Sequence, residues 1–317
     1  AAAAVAGSYL YVRAYLKSDG FLAILEQSAV DDMNVETARI DPLDWDGSGI
    51  RCGGVTMEGH EFLTSLQARN IETEFSRWEL LKRAFVITSV NIEELKLRLA
   101  PVPFRFREKP EGARSWAEEN ILPDTFRLEK GSIDSLSVSY GEAGRPYVLD
   151  GTRVESAYDA GSSQYRFEMQ GGRLRLPFKG CPEFSLMSGT AQFNHASRRV
   201  NVPSCRLTTA AGGYLDIKGD WDGSSSSWTA NMVVNGVPAS SVLEGHWKKH
   251  VQGSVSSGID LRGGRDGVTH VAGLARLQGG MLTGLPVLDR LALFCGSSRF
   301  RNLPLHEAGW KSGKGGR

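Results

Sequence analysis

The strongest constraint on this chain is an alternation of apolar and polar residues with a period of two. In Ser135-Leu136-Ser137-Val138-Ser139-Tyr140, every apolar side chain falls on one face of an extended backbone. Tyr165, Phe167 and Met169 repeat the pattern, as do Leu174, Leu176 and Phe178. Leu215 and Ile217 follow, then Trp228, Ala230, Met232 and Val234. In the next run Val255, Ile259 and Leu261 share a parity that Gly253 and Ser257 complete. Gly-rich or Asp-Gly turns separate these runs, which is the pattern of an antiparallel meander. From Phe126 onward the sequence therefore predicts a mainly β chain.

Helices are few. Ser76-Arg77-Trp78-Glu79 is a capping box and predicts a short helix to about Arg83, with Trp78, Leu81 and Phe85 inward. A second helix is expected from Pro238 to about His246, and a third over Pro286–Phe294. In the third, Val287, Leu288, Leu291 and Ala292 share one face and Gly296 ends it. An N-terminal helix is expected over much of Tyr9–Val30, weakened by Gly20. The Pro-rich, charged stretch 101–124 breaks the strand pattern and reads as a linker. It divides an N-terminal helix (1–30) and a small β unit (31–100) from a larger β unit (125–317).

Charge argues against a nucleic-acid partner. The 37 basic residues balance 36 acidic ones, giving a net charge of +1, and they are scattered rather than striped. Ala1–Val12 are nearly all small or apolar, too few to cross a bilayer, which needs about 20 residues. Three readings fit them: the end of a membrane span, the tail of a signal sequence, or a small-residue tether. The four cysteines, Cys52, Cys181, Cys205 and Cys295, lack the paired spacing of zinc or thioredoxin sites. Buried free thiols are expected, and a Cys181–Cys205 pair stays open for an oxidising compartment.

The sequence DWDGS occurs at Asp44–Ser48 and again at Asp220–Ser224. A calcium loop needs a bidentate Glu at its twelfth position, where the two copies have Val55 and Asn231. Both copies read instead as turns built on Asp-Gly. His246 and His250 have metal-like spacing, but two lysines separate them and the expected change from helix to strand points them apart. No nucleophile elbow or phosphate-binding glycine loop is present in the sequence. No catalytic residue, metal ligand or cofactor is assigned, and a non-enzymatic role is expected.

Two further stretches carry a family resemblance. The first is Asn34–Leu99, containing NVETARIDPLDWDGSGIRCGGVTMEG and LQARNIETEFSRWELLKRAFVITSVNIEELKLRL. The second is His270–Leu305, HVAGLARLQGGMLTGLPVLDRLALFCGSSRFRNLPL. They resemble the N-terminal and C-terminal regions of AsmA-like bacterial envelope proteins, relatives of TamB-like lipid-transfer proteins. Between them, GYLDIKGDWDGSSSSWTANMVVNGVPASSVL is similar to the family's succession of strand, hairpin and short helix after Pro.

The resemblance implies a long curved antiparallel β-sheet, a groove or half-barrel, with an apolar concave face. It implies an N-terminal anchor in the inner membrane, a periplasmic body, and phospholipid or another acyl lipid as ligand. Transport between inner and outer membranes is the implied function, with envelope proteins as further partners. A structural or assembly role in outer-membrane biogenesis is the alternative. The groove candidates are Leu136, Val138, Tyr140, Tyr165, Phe167, Met169, Leu215, Ile217, Met232, Val234, Val255 and Ile259. The resemblance also implies that the C-terminal strands are cut short after about Leu305. The same alternation also suits a closed sandwich with no ligand, in which a second sheet or the helices fill the apolar face.

Overall fold

Alternation of the kind seen here builds strands that need partners on both edges, and hydrogen-bonded ladders account for most of the regular structure among the described residues. The computed structural model describes residues 18–33, 35–45, 49–59, 62–76, 84–102, 125–142, 144–177, 181–194, 196–243, 245–264 and 267–305. The fold is mainly β with a few short helices, and the chain forms two compact units, 1–161 and 162–317. Among the described residues, no helix is long and apolar enough to cross a membrane.

The first unit begins with helix α1 (Asp19–Met33). Its first turn is capped by Ser18, whose Oγ accepts the Phe21 N–H at 3.3 Å. Gly20 lies in that first turn. Residues 9–17 of the expected helix lie outside the described residues, as does the helix expected after Ser76, over 77–83. Strands β1 (Thr37–Ile40) and β2 (Leu43–Trp45) both pair antiparallel with β3 (Gly49–Glu58). Next come β4 (Leu63–Phe75) and β5 (Ala84–Leu99), also antiparallel. Helix α1 lays Leu22 against Leu43 and Cys52, with Phe21, Leu25, Ile40, Ile50, Val55 and Ile71 around them. Glu26 Oε1 accepts the Ile40 N–H at 2.9 Å, which ties the helix to β1.

One departure from the expected antiparallel order follows. Strands β6 (Thr125–Leu128) and β7 (Lys130–Tyr140) both run parallel to β5. Antiparallel neighbours can be joined by a tight turn, whereas parallel ones need a long crossover. The segment 100–124 supplies that length, and β5 and β7 pair directly across it. Of the expected linker, 103–124 lie outside the described residues. Strand β8 (Tyr147–Asp159) returns antiparallel on β7.

The second unit is an antiparallel series. Strands β9 (Gln164–Gln170) and β10 (Arg173–Arg175) both pair with β11 (Phe184–Asn194). Then come β12 (Arg199–Thr209), β13 (Tyr214–Asp222) and β14 (Ser227–Pro238), each paired with the one before. Two one-turn helices, α2 (Ala239–Val242) and α3 (Trp247–His250), precede β15 (Val251–Gly264) and β16 (Gly267–Thr283). Helix α4 (Pro286–Phe294), a 3-10 turn at Ser298–Arg301 and β17 (Asn302–Leu305) complete the unit, with β17 on β16.

The helix expected over Pro238–His246 is thus only four residues long. Leu243 is already extended, and Gly245 takes a positive φ of 61° that ends helical winding. The helix over Pro286–Phe294 forms with the expected bounds and closes through a glycine motif. The Gly296 N–H donates to Leu293 and the Ser297 N–H to Ala292. Its inward residues are Leu288 and Ala292, whereas Val287 and Leu291 point to solvent, so the expected four-residue face is split.

The second DWDGS copy does form a hairpin turn, with Asp222 paired to Ser227. Asp222 Oδ1 accepts the Ser224 and Ser225 N–H groups at 2.9 and 3.3 Å. The left-handed residue is Ser226, at φ 55°, rather than Gly223. In the first copy, residues 46–48 lie outside the described residues.

Candidate functional site

Cross-strand register shows which side chains share a face. In the second unit one row runs Met169, Gly189, Cys205, Ile217, Met232, Ile259, Gly273, perpendicular to seven strands. Beside it runs a row with Phe167, Ala191, Gly219, Ala230, Leu261 and Val271. Beyond that, Tyr165, Phe193, Val200, Trp221 and Trp228 form an aromatic margin. On the other side of the first row lie Leu186, Leu207, Leu215, Val234 and Ser257. The result is one apolar face continuous across β9 and β11–β16.

That face is graded from closed to open. At the leucine end, Leu186, Leu207, Leu215, Val237 and Ala239 are buried, where β14 passes into α2. In the middle, Ala230, Met232 and Val234 are only half-buried. At the aromatic margin Trp221 is 43% exposed. A second sheet packed on the face would take its central side chains out of solvent. Their partial exposure instead describes a face covered at one end and open towards the other. Large side chains fill the glycine gaps: a Cβ on Gly263 would lie 2.4 Å from the Trp228 indole, and one on Gly189 would lie 3.0 Å from Met169 Cε.

The opposite face is polar and internally paired. Arg206 holds Asp216 through two bonds of 2.7 and 2.8 Å, with its guanidinium 4.8 Å from the Tyr214 ring centre. The pairing pushes the Asp216 carboxyl below its usual range, through the Arg206 hydrogen bond first. Asn201 donates to Asp220, Asn231 donates to Asp260, and Arg199 pairs with Asp222 at 3.2 Å. Exposed pairs of this kind add little stability each, but they fix register and keep the face soluble.

The first unit repeats the division. Leu136 and Val138 lie between Leu95 and Leu97 on β5 and Thr152 and Leu149 on β8. Tyr140 faces Tyr147 with ring centres 6.1 Å apart, and both rings are partly exposed. Arg51–Glu72 and Arg69–Glu94 are ion pairs among the polar positions. Here the apolar parity switches at one level across neighbouring strands. On β4, Ala68 and Ile71 point inward with Arg69 and Asn70 both outward between them; on β8, Leu149 is followed by the inward Thr152 and Val154, with Asp150 and Gly151 between. Asn70 at φ 49° and Gly151 at φ 70° take left-handed conformations at the switch on β4 and β8.

All twelve groove candidates therefore sit at apolar positions. Tyr165, Phe167, Met169, Leu215, Ile217, Met232, Val234, Val255 and Ile259 share the face of the second unit. Leu136, Val138 and Tyr140 belong to that of the first. Sequence reasoning missed Phe184, Leu186, Phe193, Val200 and Leu207, because β-bulges shift the parity within β11 and β12. It also passed over Trp221, although Ile217-x-Gly219-x-Trp221 continues a run already recognised.

Other chemistry finds little support. A cavity of about 520 Å³ is lined by Gln164, Gln192, Asn201, Asp220 and Thr229 among others, but Asn201 and Asp220 bond each other. Another of about 450 Å³ lies among Gln67, Lys96, Arg98 and Ser137. Among the described residues, no three His, Cys, Asp or Glu side chains gather as a metal site. The two imidazoles of His246 and His250 are not pointed apart as expected, because α3 persists through His250 and leaves ring centres 6.1 Å apart. His250 Nδ1 lies 2.8 Å from the Thr283 carbonyl. All four cysteines are free thiols; Cys52 is buried, Cys181 and Cys205 are half-buried and Cys295 is exposed. Burial pushes the Cys52, Cys181 and Cys205 thiols upward, and the Asp216 charge adds to this at Cys205. Comparison with protein-family models, curated proteins and solved structures finds no match to this chain.

Proposed function

We propose that the apolar faces bind lipid acyl chains and that the protein is a non-enzymatic lipid carrier of a bacterial envelope. The observation that carries this reading is the row Met169–Gly273, half-buried except at the buried Gly189, apolar across seven strands and backed by a polar, self-paired face. Six strand spacings of about 4.8 Å make that row roughly 29 Å long. One leaflet of hydrocarbon is about 15 Å thick, so the row accommodates an extended acyl chain. Each methylene withdrawn from water contributes about 0.8 kcal/mol, and no directional group is needed to hold it. The tryptophans and tyrosine of the open margin suit the boundary between a buried chain and a hydrated headgroup. The likeness of Asn34–Leu99 and His270–Leu305 to AsmA-like proteins supports a periplasmic setting, an N-terminal inner-membrane anchor and phospholipid transport between the two membranes.

Native mass spectrometry of gently purified protein tests the reading. Phospholipid should remain bound, and it should be lost when Met232 and Ile259 are replaced by Asn. If well-folded protein carries no lipid and takes none up from vesicles, the reading fails, and a structural role through protein contacts takes its place.

A further inference from the structure

Among the described residues, the most exposed large apolar side chains of the second unit lie off the proposed lipid face. Helix α4 turns Leu288 and Ala292 inward, yet Val287 is 64%, Leu293 76% and Phe294 92% exposed. Val287, Leu291 and Phe294 follow the i, i+4, i+7 spacing that forms one stripe along a helix. The 3-10 turn that packs against α4 adds the partly exposed Phe300. A solvated helix of nine residues has no need of outward Val, Leu and Phe, because its inward contacts already hold it in place.

The charges around the stripe are net positive. Between Pro286 and Leu305 there are three cations, Arg290, Arg299 and Arg301, and one acid, Asp289, so three minus one leaves +2. All three arginines are exposed, and Asp289 Oδ1 lies 3.8 Å from Arg301 Nε. In a two-fold contact between copies, the same stripe would bring these arginines face to face. An anionic bilayer surface neutralises them while its hydrocarbon receives the apolar stripe, which is how interfacial amphipathic helices bind.

We propose that α4 and the following turn dock the protein on an anionic phospholipid surface, with Val287, Leu291, Leu293 and Phe294 entering the headgroup boundary. The proposal rests on the lipid-carrier reading only in giving the docking a purpose. It concerns residues separate from the Met169–Gly273 row.

Flotation of the full chain with vesicles of phosphatidylcholine, and of phosphatidylcholine mixed with phosphatidylglycerol, provides the test. Binding is expected to the mixed vesicles and to weaken as salt rises. The double substitution Val287→Asn/Phe294→Asn should lower the partition coefficient by roughly tenfold or more. Arg290→Gln/Arg299→Gln should remove most of the preference for anionic vesicles. Both variants should keep the parent's thermal midpoint within a few degrees, because the replaced side chains are exposed. Equal vesicle binding by the Val287/Phe294 variant overturns the proposal. So does a parent that ignores vesicles but forms a dimer, by light scattering, that Phe294→Asn dissolves. Lipid that co-purifies with the parent should remain with the α4 variants, whereas Met232→Asn should lose that lipid and still float. The two readings can therefore fail independently.

Discussion

Adjacent residues on β14 should respond in opposite ways to the same substitution. Met232 lies between Ile217 and Ile259 on the apolar face, whereas Val233 lies between Asp216 and Gly258 on the polar one. Met232→Asn removes a half-buried side chain, worth about 1 kcal/mol of contact with an acyl chain. It also sets an amide against hydrocarbon without a partner, at about 1–3 kcal/mol. The sum, about 2–4 kcal/mol, corresponds to a roughly 30- to several-hundred-fold weaker lipid affinity. Val233→Asn places the same amide where Val233 is already 43% exposed and a carboxylate stands opposite. It should alter affinity by less than about twofold and cost at most about 1 kcal/mol of strand preference. The assay is titration of delipidated protein with a fluorescent phospholipid, with urea midpoints measured on the same samples. Equal weakening by both substitutions would show that affinity follows general destabilisation of β14 rather than facing. An unchanged affinity in Met232→Asn would remove this row from lipid binding altogether.

Three other outcomes follow from the packing and charges. Leu207 is 2% exposed at the closed end of the face. Leu207→Ala should therefore destabilise the fold by about 2–5 kcal/mol, read from the shift in urea midpoint. Asp216, Glu94 and Asp222 have depressed carboxyl pKa values, held down first by Arg206, by Lys96 and by the Ser224 N–H respectively. Their contribution is present above the ordinary carboxyl range and lost as pH falls through the lower folded values. Thermal midpoints should thus decline below about pH 4, and Asp216→Asn should flatten that decline. Alkylation at neutral pH, followed by peptide mass spectrometry, should label the exposed Cys295 first and the buried Cys52 last. Burial both raises the Cys52 pKa and blocks access.

Legibility followed the locality of each signal. Strands with unbroken parity, such as β9, β13 and most of β14, could be read directly, because alternate side chains of an extended chain point to opposite faces. Strand β11 could not. Phe184 and Leu186 share one parity while Gly189, Ala191 and Phe193 share the other, and the register shift between Leu186 and Ser188 reconciles them. In α4 the helix itself was legible, but its apolar residues divide between the unit's interior and solvent, a division that depends on what packs beside it.

Local alternation and turn chemistry were enough to specify a strand-rich chain, which side chains of most strands share a face, and the hairpin reversal at the second DWDGS copy. Those properties arise from backbone geometry over a few residues. Tertiary structure decided the rest: the parallel pairing of β5 with β7, the matched parity switch across the first unit, and the openness of the face around Met232. Each depends on contacts between residues far apart in the chain. Local alternation would look the same under a covered sheet and an open one.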